Sequence, residues 1–227
     1  MTLSHAEARA VYDRLGVVLD SQAFYEDRAL AEMIAHGDFA HARSVFEFGC
    51  GTGRLAARLL ADHLPPDASY AAVDISPRMV ALASARLAPW RDRVTITAGD
   101  GTPRLPLPDG GCARVVSTYV LDLLSDEDID AFLAEARRVL DAAEGRLCLV
   151  SLSWGVTGFA RLVSRAWRGL HRIRPALLGG CRPIELSHYL SETAWTPIHR
   201  DRVTRFGVTS EIVVARPRVG DESGGDS

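Results

Sequence analysis

From Ser44 to Leu152 apolar and polar positions alternate between two rhythms. Short apolar runs, "SVFEFGC", "SYAAVDI", "RVTITAGD", "ARVVSTYVL" and "RLCLVSL", have the length and the β-branched and aromatic content of buried strands. Between them apolar residues recur at helical spacing. A helix is predicted over roughly residues 53–62, and Ser76 is the expected N-cap of another, with Pro77 at its first position. Ser125 opens a third, in which Ile129, Phe132, Leu133, Ala136, Val139 and Leu140 share one face, and Gly145 closes that region. Strands spaced by helices predict β-α-β units and a parallel sheet.

The flanks read differently. Residues 4–15 and 21–36 carry Val11, Leu15, Phe24, Leu30 and Ile34 near helical period, with "LGVVLDS" as the break between two helices. After residue 153 the spacing predicts a helix over 158–178 and a shorter one within 183–193. "WTPIHRDRVTRF" and "TSEIVVARP" then read as two adjacent strands. The sum is an α/β chain with a Rossmann-like, doubly wound sheet of seven strands, mostly parallel, with an antiparallel strand at its edge and a helical cap. Residues 1–40 supply the N-terminal cap helices, 41–216 the core domain with a helical insertion at 153–193. The segment 217–227, "PRVGDESGGDS", is too polar and glycine-rich to fold and is expected to be a flexible tail.

Composition narrows the function. The 227 residues carry a formal charge of −3, so no general attraction to nucleic acid or anionic membrane is expected. No apolar run approaches the ~20 residues of a membrane span, and the N-terminus lacks the apolar core of a signal peptide, which predicts a cytoplasmic protein. The four cysteines, Cys50, Cys112, Cys148 and Cys181, are far apart and have no histidine at zinc spacing; reduced thiols and no metal are expected. All 26 basic residues are arginine, which removes lysine Schiff-base and P-loop chemistry.

The stretch "VFEFGCGTGR" holds the first specific signal. Gly49, Gly51 and Gly53 stand on alternate positions where a strand passes into a helix, the end of an α/β sheet where ligands bind. The spacing is not the G-x-G-x-x-G of a dinucleotide site, because Arg54 occupies the place of the last glycine. Glu47 opposes a pyrophosphate and suits a ligand that carries positive charge. Asp74 ends the second strand, where a carboxylate accepts from both hydroxyls of a ribose. Asp100 ends the third, within reach of an adenine amine.

These residues resemble the class I S-adenosylmethionine-dependent methyltransferases. "VFEFGCGTGR" looks like their first motif, "VDISPRMVALA" like their second, and "TAGDGTPRLPLPDGGCARVVSTYVLDLL" like the stretch through the fourth strand. The resemblance covers roughly residues 44–152, and among subgroups it is most similar to small-molecule enzymes related to the ubiquinone and menaquinone methyltransferases. It implies S-adenosyl-L-methionine as cofactor, with S-adenosyl-L-homocysteine as product. Gly49, Cys50, Gly51 and Gly53 would pass the methionine half, with Glu47 beneath helping to orient its ammonium. Asp74 would hold the ribose, Ile75 and Met79 would flank the adenine, and Asp100 and Gly101 would meet its edge. Ser117, Thr118 and Tyr119 would face the methyl group, and Tyr12 and Tyr25 would close over the cofactor.

The acceptor is less legible. Tyr119 and Asp122 are the candidate bases, since the histidine pair of related enzymes is replaced here by Asp122 and Leu123. From residue 158 to 182 stand Arg161, Arg165, Arg168, Arg172, Arg174 and Arg182 with no acid, which fits a cap that attracts an anionic small molecule or a solvated helix face. Arg165, Arg172 and His188 are the candidate substrate contacts. A nicotinamide-dependent oxidoreductase and a non-catalytic S-adenosylmethionine-binding protein stand as alternatives, and oligomeric state stays open.

Overall fold

The computed structural model describes residues 4–15, 23–155, 158 and 181–218. Seven strands form one sheet in the order β3-β2-β1-β4-β5-β7-β6. They are β1 (Ser44–Phe48), β2 (Ser69–Asp74), β3 (Val94–Ala98), β4 (Arg114–Thr118), β5 (Arg146–Ser153), β6 (Trp195–Arg205) and β7 (Val208–Pro217). The first five run parallel, and β7 runs antiparallel to both of its neighbours. Strand order reverses between β1 and β4, so their carboxyl ends flank the crevice where an α/β sheet binds ligands.

Helices cover both faces. On one, α2 (Ala23–Gly37), α3 (Arg54–Asp62) and α4 (Pro77–Arg86) set Met33, Leu59 and Ala83 among Val45, Tyr70, Val116, Val150 and Ile212. On the other, α5 (Asp126–Val139) and the single turn α6 (Leu186–Tyr189) bury Phe132 and Leu186 with Phe46, Val115, Leu149 and Val213. The expected caps form: Ser76 Oγ accepts from the Met79 amide and Ser125 Oγ from Asp128. The leading helix α1 (His5–Leu15) opens on a reciprocal cap, with Ser4 Oγ accepting from the Glu7 amide while the Glu7 carboxylate accepts from Ser4.

Three expectations change. The second N-terminal helix is not a cap: Ala29, Leu30, Met33 and Ile34 bury its inner face on the sheet, because four apolar residues at helical spacing have a flat β surface to cover. Pro217 belongs to β7, opposite Trp195, rather than to a tail. The shorter helix predicted within 183–193 is only one turn, Leu186–Tyr189. The helix predicted over 158–178 lies outside the described residues apart from Gly158, as does the tail from residue 219, so Arg165 and Arg172 are not placed.

Two features escaped the pattern. Arg114 is buried, its guanidinium donating to the carbonyls of Gly37, Asp38, Ala113 and Glu144 at 2.6–2.9 Å and pairing with the Asp38 carboxylate at 3.1 Å. It knots the end of α2 to the amino ends of β4 and β5. In β6 a bulge lies between Pro197 and His199, and it switches which face of the sheet the following residues take.

Candidate active site

The glycine turn is built by close approach. Gly49 and Cys50 both donate their amides to the Val73 carbonyl of β2, at 2.8 and 3.1 Å, which folds the chain back at the end of β1. Gly49 has φ of +80°, and a Cβ there would sit 2.3 Å from Val120, so only glycine fits. Gly51 has φ of +51°, yet a Cβ on it would meet nothing within 4 Å. Its backbone therefore faces open space beyond the sheet, which leaves room for a ligand to approach it. Gly53 packs on Ala83 of α4 and heads α3.

Asp74 and Glu47 sit beneath this turn. Asp74 is nearly buried; its two carboxylate oxygens accept from Ser76 and Gly51 amides at 2.9 and 2.8 Å. Each oxygen keeps a second lone pair, which is the capacity two ribose hydroxyls require. Burial raises its pKa, opposed by those two amide bonds. Glu47 is buried and accepts from the Tyr70 hydroxyl at 2.8 Å. Burial pushes it up to about 7, with the Tyr70 bond opposing and Asp74 adding to the rise. Two acids this close under an open turn favour a cationic ligand and oppose a pyrophosphate. Cys50 is buried beside them, and burial raises its thiol far out of the range of a nucleophile.

The region expected to take an adenine is framed by β2, β3 and α1. Gly101 has φ of +93°, and a Cβ on it would meet Ile75 and the His5 ring at 2.8 Å. Asp13 accepts from Ser76 Oγ, and Arg78 donates to the Asp13 carbonyl at 2.8 Å, so α1 is pinned across the start of α4. Asp100 is exposed and held below the usual carboxylate range by the hydroxyl and amide of Thr102, at 2.6 and 2.9 Å. Met79 is fully buried in the first turn of α4, its amide bonded to Ser76 Oγ. Tyr12 and Tyr25 fall on α1 and α2, but their side chains lie outside the described residues.

At the methyl end the residues divide. Ser117 does not face the site; its hydroxyl donates to the Phe48 carbonyl at 3.0 Å and clamps β4 to β1. Thr118 is half-buried at the strand end. Tyr119 has φ of +55°, and its hydroxyl bonds Ser210 Oγ of β7 at 2.7 Å. Burial raises its pKa well above the ordinary tyrosine value, so it is no base near neutrality. Asp122 is the opposite case. It is fully buried and neither carboxyl oxygen has a hydrogen bond of good geometry; burial pushes it up to about 7, opposed by the nearby backbone of Asp122 and Leu152 and by the Arg182 charge. Beside it Arg182 donates its amide to the Asp122 carbonyl at 3.0 Å, while its guanidinium is engaged by Asp126 at 2.7 Å and the Leu124 carbonyl. Ser151 and Ser153 of β5 are also buried with unsatisfied hydroxyls. His188 is exposed on α6 and pairs with Glu185 at 3.0 Å.

Arg54 was read only as a mismatch to a dinucleotide turn. It bridges the start of α3 to α2, through Glu26 at 2.9 Å and Asp27 at 2.7 Å. No local pattern signals a pair separated by 28 residues.

Residues 45–143 match the family model of a methyltransferase domain. Those residues are a methyltransferase domain. The open Gly51 turn above Asp74 and Glu47 fits the cationic nucleoside S-adenosylmethionine. Solved structures share the fold. The YcgJ protein from Bacillus subtilis aligns with a TM-score of 0.65 at 17% identity, over 86% of this chain and 100% of its own. The [4+2]-cyclase SpnF aligns at 0.65 and 18%, over 86% and 82%. A geranyl diphosphate C-methyltransferase from Streptomyces coelicolor A3(2), in complex with Mg2+, geranyl diphosphate and S-adenosyl-L-homocysteine, aligns at 0.61 and 12%, over 84% and 80%. No curated protein matches the sequence. Among the described residues no helix is long and apolar enough to cross a membrane.

Proposed function

We propose that the methyltransferase acts on a small-molecule acceptor held beyond the carboxyl ends of β4 and β5, and that Asp122 takes the acceptor's proton. The observation that carries this reading is the Asp122 carboxyl itself. A buried, unpartnered acid costs stability, and one pushed up to about 7 is matched to accept a proton at neutral pH. The unsatisfied hydroxyls of Ser151 and Ser153 lie on the neighbouring strand and suit a polar acceptor.

S-adenosylmethionine supplies an activated methyl group on a sulfonium, so the protein's work is alignment, desolvation and proton removal. In this reading Asp74 holds the ribose, Gly49, Cys50, Gly51 and Gly53 pass the methionine half, and Glu47 balances its ammonium from below. Ile75, Asp100 and Gly101 border the adenine, the Thr118–Tyr119 backbone borders the methyl group, and Tyr12 and Tyr25 close the site from α1 and α2. Holding donor and acceptor in line contributes ~7–11 kcal/mol. An anionic acceptor suits the five arginines between residues 161 and 174, and the similar geranyl diphosphate C-methyltransferase is a fold relative whose substrate is an anion. A cytoplasmic setting agrees with four free cysteines.

The test is S-adenosylhomocysteine release with a panel of anionic and neutral hydroxyl, amine and carbon acceptors. With the acceptor that turns over, Asp122→Asn is expected to lower kcat by about 10²–10⁴ while leaving S-adenosylhomocysteine affinity unchanged. An unchanged kcat in that variant would remove Asp122 from the chemistry.

A further inference from the structure

Away from the glycine turn, three side chains from two elements converge. Glu32 and His36 stand one helical turn apart on α2, hence on one face. His199 comes from β6. Trp195 and His199 would share a sheet face in a regular strand, since residues of equal parity do. The bulge between Pro197 and His199 breaks this. Pro197 pairs with Ala215, whose side chain lies on the α5 side, whereas His199 pairs with Val214, on the α2 side. The bulge thus turns His199 onto α2.

The three side chains meet closely. Glu32 Oε1 lies 3.4 Å from His199 Nε2 and 3.7 Å from His36 Nδ1. Ligand atoms of all three fall within 4.8 Å of one another. The two imidazoles stack with centroids 3.6 Å apart and planes 4° from parallel, so one ring must turn about its Cβ–Cγ bond before the in-plane lone pairs of both meet a single ion. His199 Nε2 is shut off from solvent and has no hydrogen-bond partner. Such a nitrogen is costly to bury unless something takes its lone pair.

We infer that Glu32, His36 and His199 form a structural site for a divalent transition metal, with zinc the best match. Metal arms of about 2.0–2.1 Å in a tetrahedron set neighbouring ligand atoms about 3.3 Å apart, close to the observed 3.4 and 3.7 Å. Two imidazoles and a carboxylate without thiolate fit Zn²⁺, Co²⁺, Ni²⁺ or Cu²⁺ and disfavour Ca²⁺ and Mg²⁺. His36 Nδ1 lies 3.0 Å from the Glu32 carbonyl, so ligation replaces that contact and leaves the proton on Nε2. A fourth position stays for water, since Glu32 and His36 are each over a third exposed.

The site is remote from methyl transfer. His36 lies at the end of α2 that Arg146 and Arg114 tie to the amino ends of the strands, whereas Glu26 at the other end meets Arg54 beside the glycine turn. An ion there staples α2 to the outermost strand, and its expected effect is on stability rather than on chemistry.

Titration of the full chain with zinc alone, by calorimetry and by thermal unfolding, tests this. The expected result is one equivalent bound with micromolar Kd, and a Tm rise of about 5–10 °C at a hundredfold excess over Kd. His199→Ala and Glu32→Gln should each weaken binding at least about tenfold, and His188→Ala, whose ring pairs with Glu185 elsewhere, should not. Cobalt added to the wild-type chain should give the visible ligand-field absorption of a low-coordinate nitrogen and oxygen site. If His199→Ala fails to fold, Glu32→Gln and the cobalt spectrum decide. Absence of saturable zinc binding, or affinity unchanged in the folded variants, overturns the site.

Discussion

Replacing Asp122 with asparagine should make the protein gain stability relative to wild type as pH rises, while it becomes less active. The wild-type carboxyl sits fully buried with neither oxygen hydrogen-bonded, and its pKa rises from 3.8 to about 7, chiefly through burial. Between those values the folded chain holds a proton that the unfolded chain has released. Stability therefore falls as pH rises from about 4 to about 7 and is flat above that. Roughly three pH units at about 1.4 kcal/mol each set an upper figure near 4 kcal/mol, and local relaxation reduces it to about 2–4 kcal/mol. Asparagine cannot ionise, so it escapes this loss, although its unsatisfied amide adds a constant cost of about 1–3 kcal/mol. The decisive quantity is thus the pH dependence of the difference between the two proteins. Urea unfolding at pH 5, 6, 7 and 8 measures it, and Glu47 titrates in both proteins and cancels. About two of those three pH units lie between pH 5 and pH 8, so the variant should gain about 1–3 kcal/mol relative to wild type over that range, a relative Tm change of roughly 3–10 °C. A difference that does not vary with pH would show that the Asp122 carboxyl is ionised or satisfied in the folded chain, and would refute the assignment of a neutral buried acid.

Other consequences follow from the glycine turn and its neighbours. Gly49→Ala and Gly51→Ala should separate fold from binding: the first meets Val120 and should cost about 2–4 kcal/mol in chemical unfolding, whereas the second points into open space and should cost about 1–2 kcal/mol while weakening S-adenosylhomocysteine at least tenfold. In Glu47→Gln the affinity for S-adenosylmethionine, measured by calorimetry from pH 5.5 to 8, should lose its pH dependence; in wild type it should weaken as pH falls below about 7, because a proton on Glu47 competes with the ligand's positive charge. Arg54→Met severs α3 from Glu26 and Asp27 and should cost about 1 kcal/mol of stability, discounted for partial exposure, with a several-fold rise in cofactor Kd. Tyr119→Phe removes the Ser210 contact and leaves the ring in place, so kcat should keep its wild-type pH profile.

The parts that were legible are those in which local chemistry decides the structure. Five parallel strands, the Ser76 and Ser125 caps and the Gly49–Gly53 turn each announce themselves within ten residues, and the acids Glu47 and Asp74 sit where strand ends must be. What stayed hidden depends on partners distant in sequence. Nothing near Arg114 tells that three carbonyls from elsewhere will bury it, and Arg54 gave no sign of Glu26 and Asp27. The serine of "STY" reads as a ligand contact, yet strand parity turns it back to Phe48. His199 faces α2 only because one extra residue enters β6, and no hydrophobic pattern marks a bulge in a half-exposed strand.

The most direct test of the account is calorimetric titration of the intact chain with S-adenosylhomocysteine, beside the same titration of Asp74→Ala. Asp74 ties the Gly51 turn to the end of β2 and retains lone pairs for a ribose. The account predicts one site of micromolar affinity in wild type and a loss of at least about a hundredfold in the variant, as expected when two charge-assisted hydrogen bonds vanish. No binding by the wild-type chain, or equal affinity in a folded Asp74→Ala protein, would contradict it.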